Sequence, residues 1–121
     1  MSALYQVQIE RIGAFAYEAL EDDMMIIFSQ IAPQDAADYC FIHSHDTLKA
    51  PIEAGYTLMI GQQRYPITSV GEVVNQNLAE LGHITIRFDA LAQAEYPGCL
   101  HVDGQKPTQI ICGEQITFFK S

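Results

Sequence analysis

The chain has 121 residues, of which 49% are apolar and 17% charged, and six Lys and Arg face fifteen Asp and Glu for a net charge of −9. This length allows one domain with an ordinary hydrophobic core, which we expect to span residues 1–121. The acidic balance argues against binding of nucleic acid or an anionic membrane surface, because both need clustered Lys and Arg. No low-complexity segment or internal repeat is visible.

Strands dominate the predicted elements. Runs that alternate apolar and polar residues, or that are apolar throughout, have the pattern of half-buried or buried strands. In chain order these runs are 4–10, 24–30, 57–61, 64–70, 83–89, 99–104 and 114–120, and short helices are predicted within 13–23, 33–40 and 73–81. The sequence therefore predicts a mostly β domain, a single small antiparallel β-barrel or barrel-like sandwich with short helical connections.

One pair of runs carries its own turn signal. The residues GQQ join 57–60 to 64–70 and are consistent with a β-hairpin. Pro66 lies inside the second run, and proline cannot donate a hydrogen bond to a neighbouring strand. The run 64–70 is therefore predicted to be an edge strand or to contain a bulge.

No segment is typical of export or of membrane insertion. The longest apolar run, Met24–Phe28, is far shorter than the roughly 20 residues that a spanning helix needs. The first residues, MSALYQVQIERIG, lack the basic and then apolar pattern of a secretory signal. Cys40, Cys99 and Cys112 are widely spaced and odd in number, which indicates free thiols. We expect a cytoplasmic protein.

The segment DYCFIHSHDTLK, residues 38–49, places two of the four histidines and one of the three cysteines within six residues. Side chains two apart share one face of a strand, so His43 and His45 are expected to project side by side. Three interpretations are open. The histidines could be ordinary solvated or hydrogen-bonded residues, ligands of a metal, or a nucleophile with its helper.

A metal site would need a third or fourth ligand beyond His43 and His45. Asp46, His83 and His101 are candidates, yet none stands at a recognisable ligand spacing from the histidine pair. The neighbouring Cys40 has no nearby cation in the sequence to lower the pKa of its thiol, so we expect it to pack in the core.

The nucleophilic interpretation uses the chemistry of neutral imidazole, which attacks phosphorus near pH 7 and holds the phosphoryl group in a labile N–P bond. One histidine would take the group, and the other would donate a hydrogen bond to it. No phosphate-binding loop for a nucleotide is visible, so the donor would be another phosphorylated protein. Arg64 or Arg87 could contact the phosphoryl group, although a surface salt bridge is the simpler expectation for both.

Four stretches carry a family resemblance over nearly the whole chain: YCFIHSHDTLK, GQQRYPITSVG, NLAELGHITIRFD and AEYPGCLHV. In this order they resemble the glucitol/sorbitol-specific IIA component of the bacterial phosphoenolpyruvate-dependent sugar phosphotransferase system (PTS). The resemblance implies a cytoplasmic, β-rich phosphotransferase component with a barrel-like fold and no metal or organic cofactor.

The resemblance also implies partners and an acceptor. The histidine that completes CFIH, His43, would accept a phosphoryl group from the histidine-containing phosphocarrier protein and pass it to a cysteine of the IIB component. This role requires an uncharged His43 presented at the barrel surface. The resemblance assigns nothing to His45, for which we hypothesise stabilisation of the phosphoryl group. The alternative functions are a metal-binding β-barrel that uses both histidines and a regulatory interaction domain without phosphotransfer.

Overall fold

The computed structural model describes residues 2–120, and strands make up most of their regular structure. Within this range the strands are β1 (Ala3–Ile12), β2 (Met24–Ser29), β3 (Phe41–His43), β4 (Thr57–Ile60), β5 (Gln63–Val70), β6 (Ile84–Arg87), β7 (Cys99–Val102) and β8 (Gln115–Phe119). The helices are α1 (Ala16–Glu21), α2 (Gln34–Ala37) and α3 (Val74–Leu81). Each predicted run overlaps one of these elements, and β3 lies in the segment around His43 for which a strand was also expected. The predicted strands and helices are therefore confirmed in kind, with bounds that differ by a few residues.

The eight strands of the described chain close into a barrel in the order β1-β3-β2-β6-β7-β5-β4-β8. The prediction of a mostly β barrel with short helical connections is confirmed. The arrangement departs from a purely antiparallel one in two neighbour pairs, β2–β3 and β6–β7, which are parallel. Parallel neighbours require a crossover, and residues 30–40 and 88–98 provide the two crossovers.

Alternation along β1 shows how the sequence builds the core. Tyr5, Val7 and Ile9 are buried, while Gln6 and Gln8 between them are exposed. Inward positions of the other strands supply further apolar side chains to the same cluster. The interior of the barrel is therefore filled by side chains of every strand, and the ends of the barrel are where polar groups enter it.

The edge-strand interpretation of Pro66 is wrong. β5 pairs with β4 on one side and with β7 on the other, because a closed barrel has no edge. The bulge interpretation comes closer, since the register of β5 against β7 shifts between Ile67 and Ser69. The Pro66 carbonyl accepts from the N–H of Asp103, one residue beyond β7. Pro66, which has no N–H to donate, therefore lies at the end of the β5–β7 pairing.

The topology contains an approximate twofold repeat, although no internal repeat is visible in the sequence. In β1-α1-β2-β3 and in β5-α3-β6-β7, the first strand pairs antiparallel with the last, and the last pairs parallel with the one before it. Backbone hydrogen bonds match as well: Gly13 N–H donates to the Cys40 carbonyl at 2.9 Å, and Gly71 N–H to the Cys99 carbonyl at 2.8 Å. The two halves share too few identical residues for the sequence to reveal this.

Core packing in the barrel gives a matched test. Ile86 on β6 is fully buried, whereas Ile111 is 56% exposed. Ile86→Ala should lower the free energy of unfolding by about 2–5 kcal/mol, because it removes buried methyl groups and leaves a cavity. Ile111→Ala should change it by less than about 0.5 kcal/mol. Urea unfolding of both variants measures the difference, and equal losses would contradict the described core.

Candidate functional site

His43 lies at the end of β3 with its ring inside the barrel. In the sheet it stands opposite Ile9 of β1 and Ser29 of β2. The residue is 0% exposed. The expectation that this histidine is presented at the surface is therefore wrong for the conformation described, because its side chain follows Phe41 to the inner face of the strand.

Two backbone groups hold the His43 ring. Its Nε2–H donates to the Gly82 carbonyl at 2.7 Å, and its Nδ1 accepts from the backbone N–H of His45 at 3.0 Å. An N–H donor at Nδ1 leaves only one arrangement, in which Nδ1 carries the lone pair and Nε2 carries the proton. The surrounding backbone thus fixes both the orientation and the tautomer of a neutral ring.

Burial also favours the neutral form of His43. Loss of solvent lowers the pKa of its imidazole below 6.5, the hydrogen bond to Gly82 raises it, the nearby His45 lowers it and the charge of Glu10 raises it. The first of these effects is the largest, so the net pKa is lowered. His43 is consequently uncharged at neutral pH, as the nucleophilic interpretation requires.

His45 does not continue the strand. β3 ends at His43, and His45 adopts a left-handed backbone conformation with φ 64° and an exposed side chain. The prediction that both histidines lie on one face of a strand is wrong, because His45 is not part of β3. The two rings nevertheless lie together, with centroids 6.4 Å apart. The residues after β3 continue beside β1, where the Ser44 N–H donates to the Gln8 carbonyl and the Lys49 N–H to the Leu4 carbonyl.

A tyrosine completes the site. The Tyr5 ring is 0% exposed and stands edge-on to both imidazoles, with centroids 6.1 Å from His43 and 6.0 Å from His45. Its hydroxyl lies 2.8 Å from His45 Nδ1. We call Tyr5, His43 and His45 the three-ring cluster. By its position in the sequence, Tyr5 is predicted only as an inward-facing residue of the first strand; the signal for a further role is that a buried tyrosine hydroxyl needs a partner.

Gly82 forms the wall against which the His43 ring rests. It is the residue after α3 and has φ 66°, the left-handed conformation that ends many helices. A Cβ at this position would lie 2.6 Å from Cε1 of His43 and 2.9 Å from the Ser29 side chain. Glycine is thus required twice here, by the helix end and by the ring. A glycine after a predicted helix signals a helix end, but nothing in the sequence connects it to a histidine 39 residues earlier.

The other candidate metal ligands do not join the two histidines. Asp46 accepts from the backbone N–H groups of Gln6 and Thr47 and pairs with Lys49. His83 stacks on Phe28 with ring centroids 4.3 Å apart.

His101 lies towards the opposite end of the barrel from His43. It stands opposite Arg87 of β6, which pairs with Met24 at the start of β2, whereas His43 pairs with Ser29 at the end of β2. Its Nδ1 contacts the Asp89 carboxylate at 2.7 Å. Over residues 2–120, no three His, Cys, Asp or Glu side chains converge as metal ligands would.

The arginines considered as phosphoryl contacts are engaged elsewhere. The Arg64 guanidinium lies 5.4 Å from the centroid of the Phe119 ring, and Arg87 pairs with Asp89 at 3.6 Å. Cys40 is buried, its Sγ–H donates to the Ala36 carbonyl, and burial raises the pKa of its thiol to about 11. Cys40 packs in a second apolar cluster with Phe28, Ala37 and Ile42, separate from the barrel interior, so the expectation that it packs in a core is confirmed.

Comparison with solved structures identifies the class of protein. The structure titled as the PTS system IIA component from Enterococcus faecalis V583 matches with a TM-score of 0.83 and 25% sequence identity, over 92% of this chain and 96% of that chain. The barrel described above is therefore the fold of a PTS IIA component, which is one part of a phosphotransferase.

Sequence comparison identifies the family within this class. The sequence model of the PTS system glucitol/sorbitol-specific IIA component matches residues 4–117. The glucitol/sorbitol-specific EIIA components of Escherichia coli (strain K12) and Shigella flexneri are each 49% identical over 118 residues, which cover 98% of this chain and 96% of each relative. The chain belongs to the family of glucitol/sorbitol-specific PTS IIA components, as the resemblance predicted.

The sequence predicts no membrane-spanning helix, and the helices of the structure bear on this prediction. Between residues 2 and 120, none of the helices has both the length and the apolar character needed to cross a membrane.

The contact between Gly82 and His43 predicts a specific loss of stability. Gly82→Ala should lower the free energy of unfolding more than Gly61→Ala, because both residues have a left-handed φ, 66° and 58°, but the Cβ at 82 meets the enclosed His43 ring whereas the Cβ at 61 meets only the flexible Glu114 side chain. The difference should be about 1–3 kcal/mol, the usual cost of overpacking. Chemical unfolding measures it; equal losses in the two variants would show that the ring yields freely.

The lowered pKa of His43 predicts a pH dependence of stability. In the unfolded chain the imidazole titrates near 6.5, above its folded value, so the unfolded state binds the proton more readily. Stability should therefore fall as the pH drops below 6.5, by up to about 1.4 kcal/mol per pH unit for one proton.

His43→Gln should remove this part of the slope in urea unfolding between about pH 8 and pH 5. His83, whose pKa burial also lowers, remains in both proteins and cancels in the comparison. The lowered pKa values of Asp46 and Asp89 act below 3.8, outside this window. An unchanged slope would mean that His43 titrates alike in the folded and unfolded chain.

Proposed function

We propose that the chain is a cytoplasmic phosphoryl carrier of a glucitol/sorbitol PTS and that His43 carries the phosphoryl group. The donor is the histidine-containing phosphocarrier protein, and the recipient is a cysteine of the IIB component. The observation that carries this proposal is the neutral His43 ring, held through both nitrogens by backbone groups in a chain of this family. A neutral imidazole has the lone pair that a nucleophile needs.

The proposed reaction moves one phosphoryl group twice. In the first step the N–P bond of the phosphorylated carrier breaks, and a new N–P bond forms at His43. In the second step this bond breaks and a P–S bond forms at the IIB thiolate, which returns His43 to its neutral state. No nucleotide or metal is needed, because the N–P bond already holds the free energy for transfer.

The burial of His43 places a condition on this reaction. Attack from Nδ1 requires that the His45 N–H leave the lone pair. Attack from Nε2 requires that the Gly82 carbonyl move away and that the ring proton be lost. Each route opens one backbone hydrogen bond, at a net free energy of about 0.5–1.5 kcal/mol, plus the cost of moving the adjoining chain. Partner docking therefore acts on a closed resting state, in which the nucleophile is protected from water.

His45 is well placed to assist. It is exposed, it follows the strand that carries His43, and its ring centroid is 6.4 Å from that of His43. A phosphoryl group on His43 carries negative charge, so an imidazole N–H at this distance can donate a charge-assisted hydrogen bond. We assign His45 the role of stabilising the phosphoryl group.

We further propose that residues 1–121 act as one domain. The family match covers residues 4–117, and the first and last strands, β1 and β8, are paired neighbours in the barrel wall. Removal of either strand would open the barrel; loss of β1 would remove Tyr5 from the three-ring cluster, and loss of β8 would remove Phe118, which packs edge-on against Tyr5.

The proposal is tested by labelling. The protein is incubated with isotopically labelled phosphoenolpyruvate, the general PTS enzyme and the histidine-containing phosphocarrier protein, and the label is mapped. We expect acid-labile, alkali-stable label on His43, none in His43→Gln, and in His45→Ala a transfer rate or phosphoprotein lifetime reduced on the order of tenfold or more.

His83→Ala is the matched control, because it removes a neighbouring histidine that lies outside the three-ring cluster. It should label like the unchanged protein. Full labelling of a folded His43→Gln variant would refute the acceptor assignment. Unchanged kinetics in His45→Ala would refute the stabilising role alone, and absence of label from the unchanged protein would favour an interaction domain without phosphotransfer.

A further inference from the structure

The Tyr5 hydroxyl has a defined hydrogen-bond direction. Burial raises the pKa of Tyr5 far above 10.0, the hydrogen bond from the Asp46 backbone opposes this, and the charge of Asp46 adds to it. Tyr5 thus keeps its proton at any physiological pH. Among residues 2–120, the hydrogen-bond partner of the Tyr5 hydroxyl is His45 Nδ1, 2.8 Å away, and a buried hydroxyl that keeps its proton must donate it, so the proton is directed at this nitrogen.

This direction determines which nitrogen of His45 carries a proton. A neutral imidazole has one N–H, and a nitrogen that accepts from a hydroxyl cannot be the protonated one. The neutral His45 ring is therefore the Nε2–H tautomer. The free imidazole would sample both tautomers and several ring orientations, whereas the bond to Tyr5 selects one of each.

Tyr5 is held firmly by the barrel core. Tyr5 is 0% exposed, packs edge-on against Phe118 in the barrel core, and belongs to β1, which is paired on both sides. His45, by contrast, is exposed and lies in the segment after β3. A phenol held in the core thus orients an imidazole at the surface, across 40 residues of chain.

We propose that Tyr5 is a positioning residue of the transfer site: its hydroxyl holds His45 as the Nε2–H tautomer, so that this N–H is the one offered to the phosphoryl group. The inference rests on the proposed function of His43 and deepens it. Tyr5 touches neither donor nor phosphoryl group and acts through His45.

Tyr5→Phe tests this directly, because it keeps the buried ring and removes only the hydroxyl. Tyr65→Phe is the matched control: Tyr65 is also buried, and its hydroxyl donates to the Gln105 carbonyl, away from the three-ring cluster. The first readout is the tautomer of His45 in the ¹⁵N-labelled, unphosphorylated full chain, from long-range ¹H–¹⁵N NMR spectra.

We expect the unchanged protein and Tyr65→Phe to show a single Nε2–H tautomer at His45, and Tyr5→Phe to show a mixture. The second readout is the hydrolysis rate of the phosphorylated protein. Loss of one oriented hydrogen bond should increase this rate about 2- to 10-fold in Tyr5→Phe. In a His45→Ala background, Tyr5→Phe should have no further effect, because the hydroxyl acts only through His45.

Two results would overturn the inference: an unaltered His45 tautomer in Tyr5→Phe, or the same rate increase in the His45→Ala background, which would mean that the hydroxyl only supports packing. Failure of the proposed function looks different. If the unchanged protein takes no phosphoryl group, His43 is not a carrier, while the NMR spectra of the unphosphorylated chain still decide whether Tyr5 sets the tautomer.

Discussion

The arrangement of the whole site depends on one buried ring held by two backbone groups. The Gly82 carbonyl and the His45 N–H leave the His43 imidazole a single tautomer and a single orientation. Each group belongs to a segment that ends a regular element, the first after α3 and the second after β3. Main-chain partners carry no side-chain entropy and do not titrate, and burial lowers the pKa of the imidazole, so the ring is neutral and fixed at neutral pH.

The two hydrogen bonds satisfy the His43 ring without a charged partner. A charged partner would stabilise the imidazolium and remove the lone pair, whereas a backbone carbonyl and N–H satisfy a neutral ring in full. Burial alone would leave the ring nitrogens unpaired, which costs about 1–3 kcal/mol for each unsatisfied group. The combination of burial and two hydrogen bonds therefore yields a histidine that is uncharged and ordered, at the expense of immediate access.

Much of the barrel could be predicted from the sequence, because one-sided burial imposes an alternation that is visible in residues such as Tyr5, Val7 and Ile9. The histidine pair could be located but not oriented, since the strand ends at His43 and a positive φ at His45 turns the chain. The role of Gly82 is a tertiary contact, and the hydroxyl of Tyr5 finds its partner across the fold. The parallel pairs depend on how the crossovers pack, which a local pattern does not encode.

The twofold repeat of the barrel limits how the histidine can become accessible. If Cys40 and Cys99 are equivalent positions, His43 corresponds to Val102, a core residue, so only one half has a polar group at this place. The halves meet along two seams, where β2 pairs with β6 and where β4 and β8 pair with each other and with β5 and β1. Separating the halves would break the strand pairing of both seams at once. A route to the imidazole that keeps both seams paired would have to open within the segments that follow α3 and β3, which hold the ring.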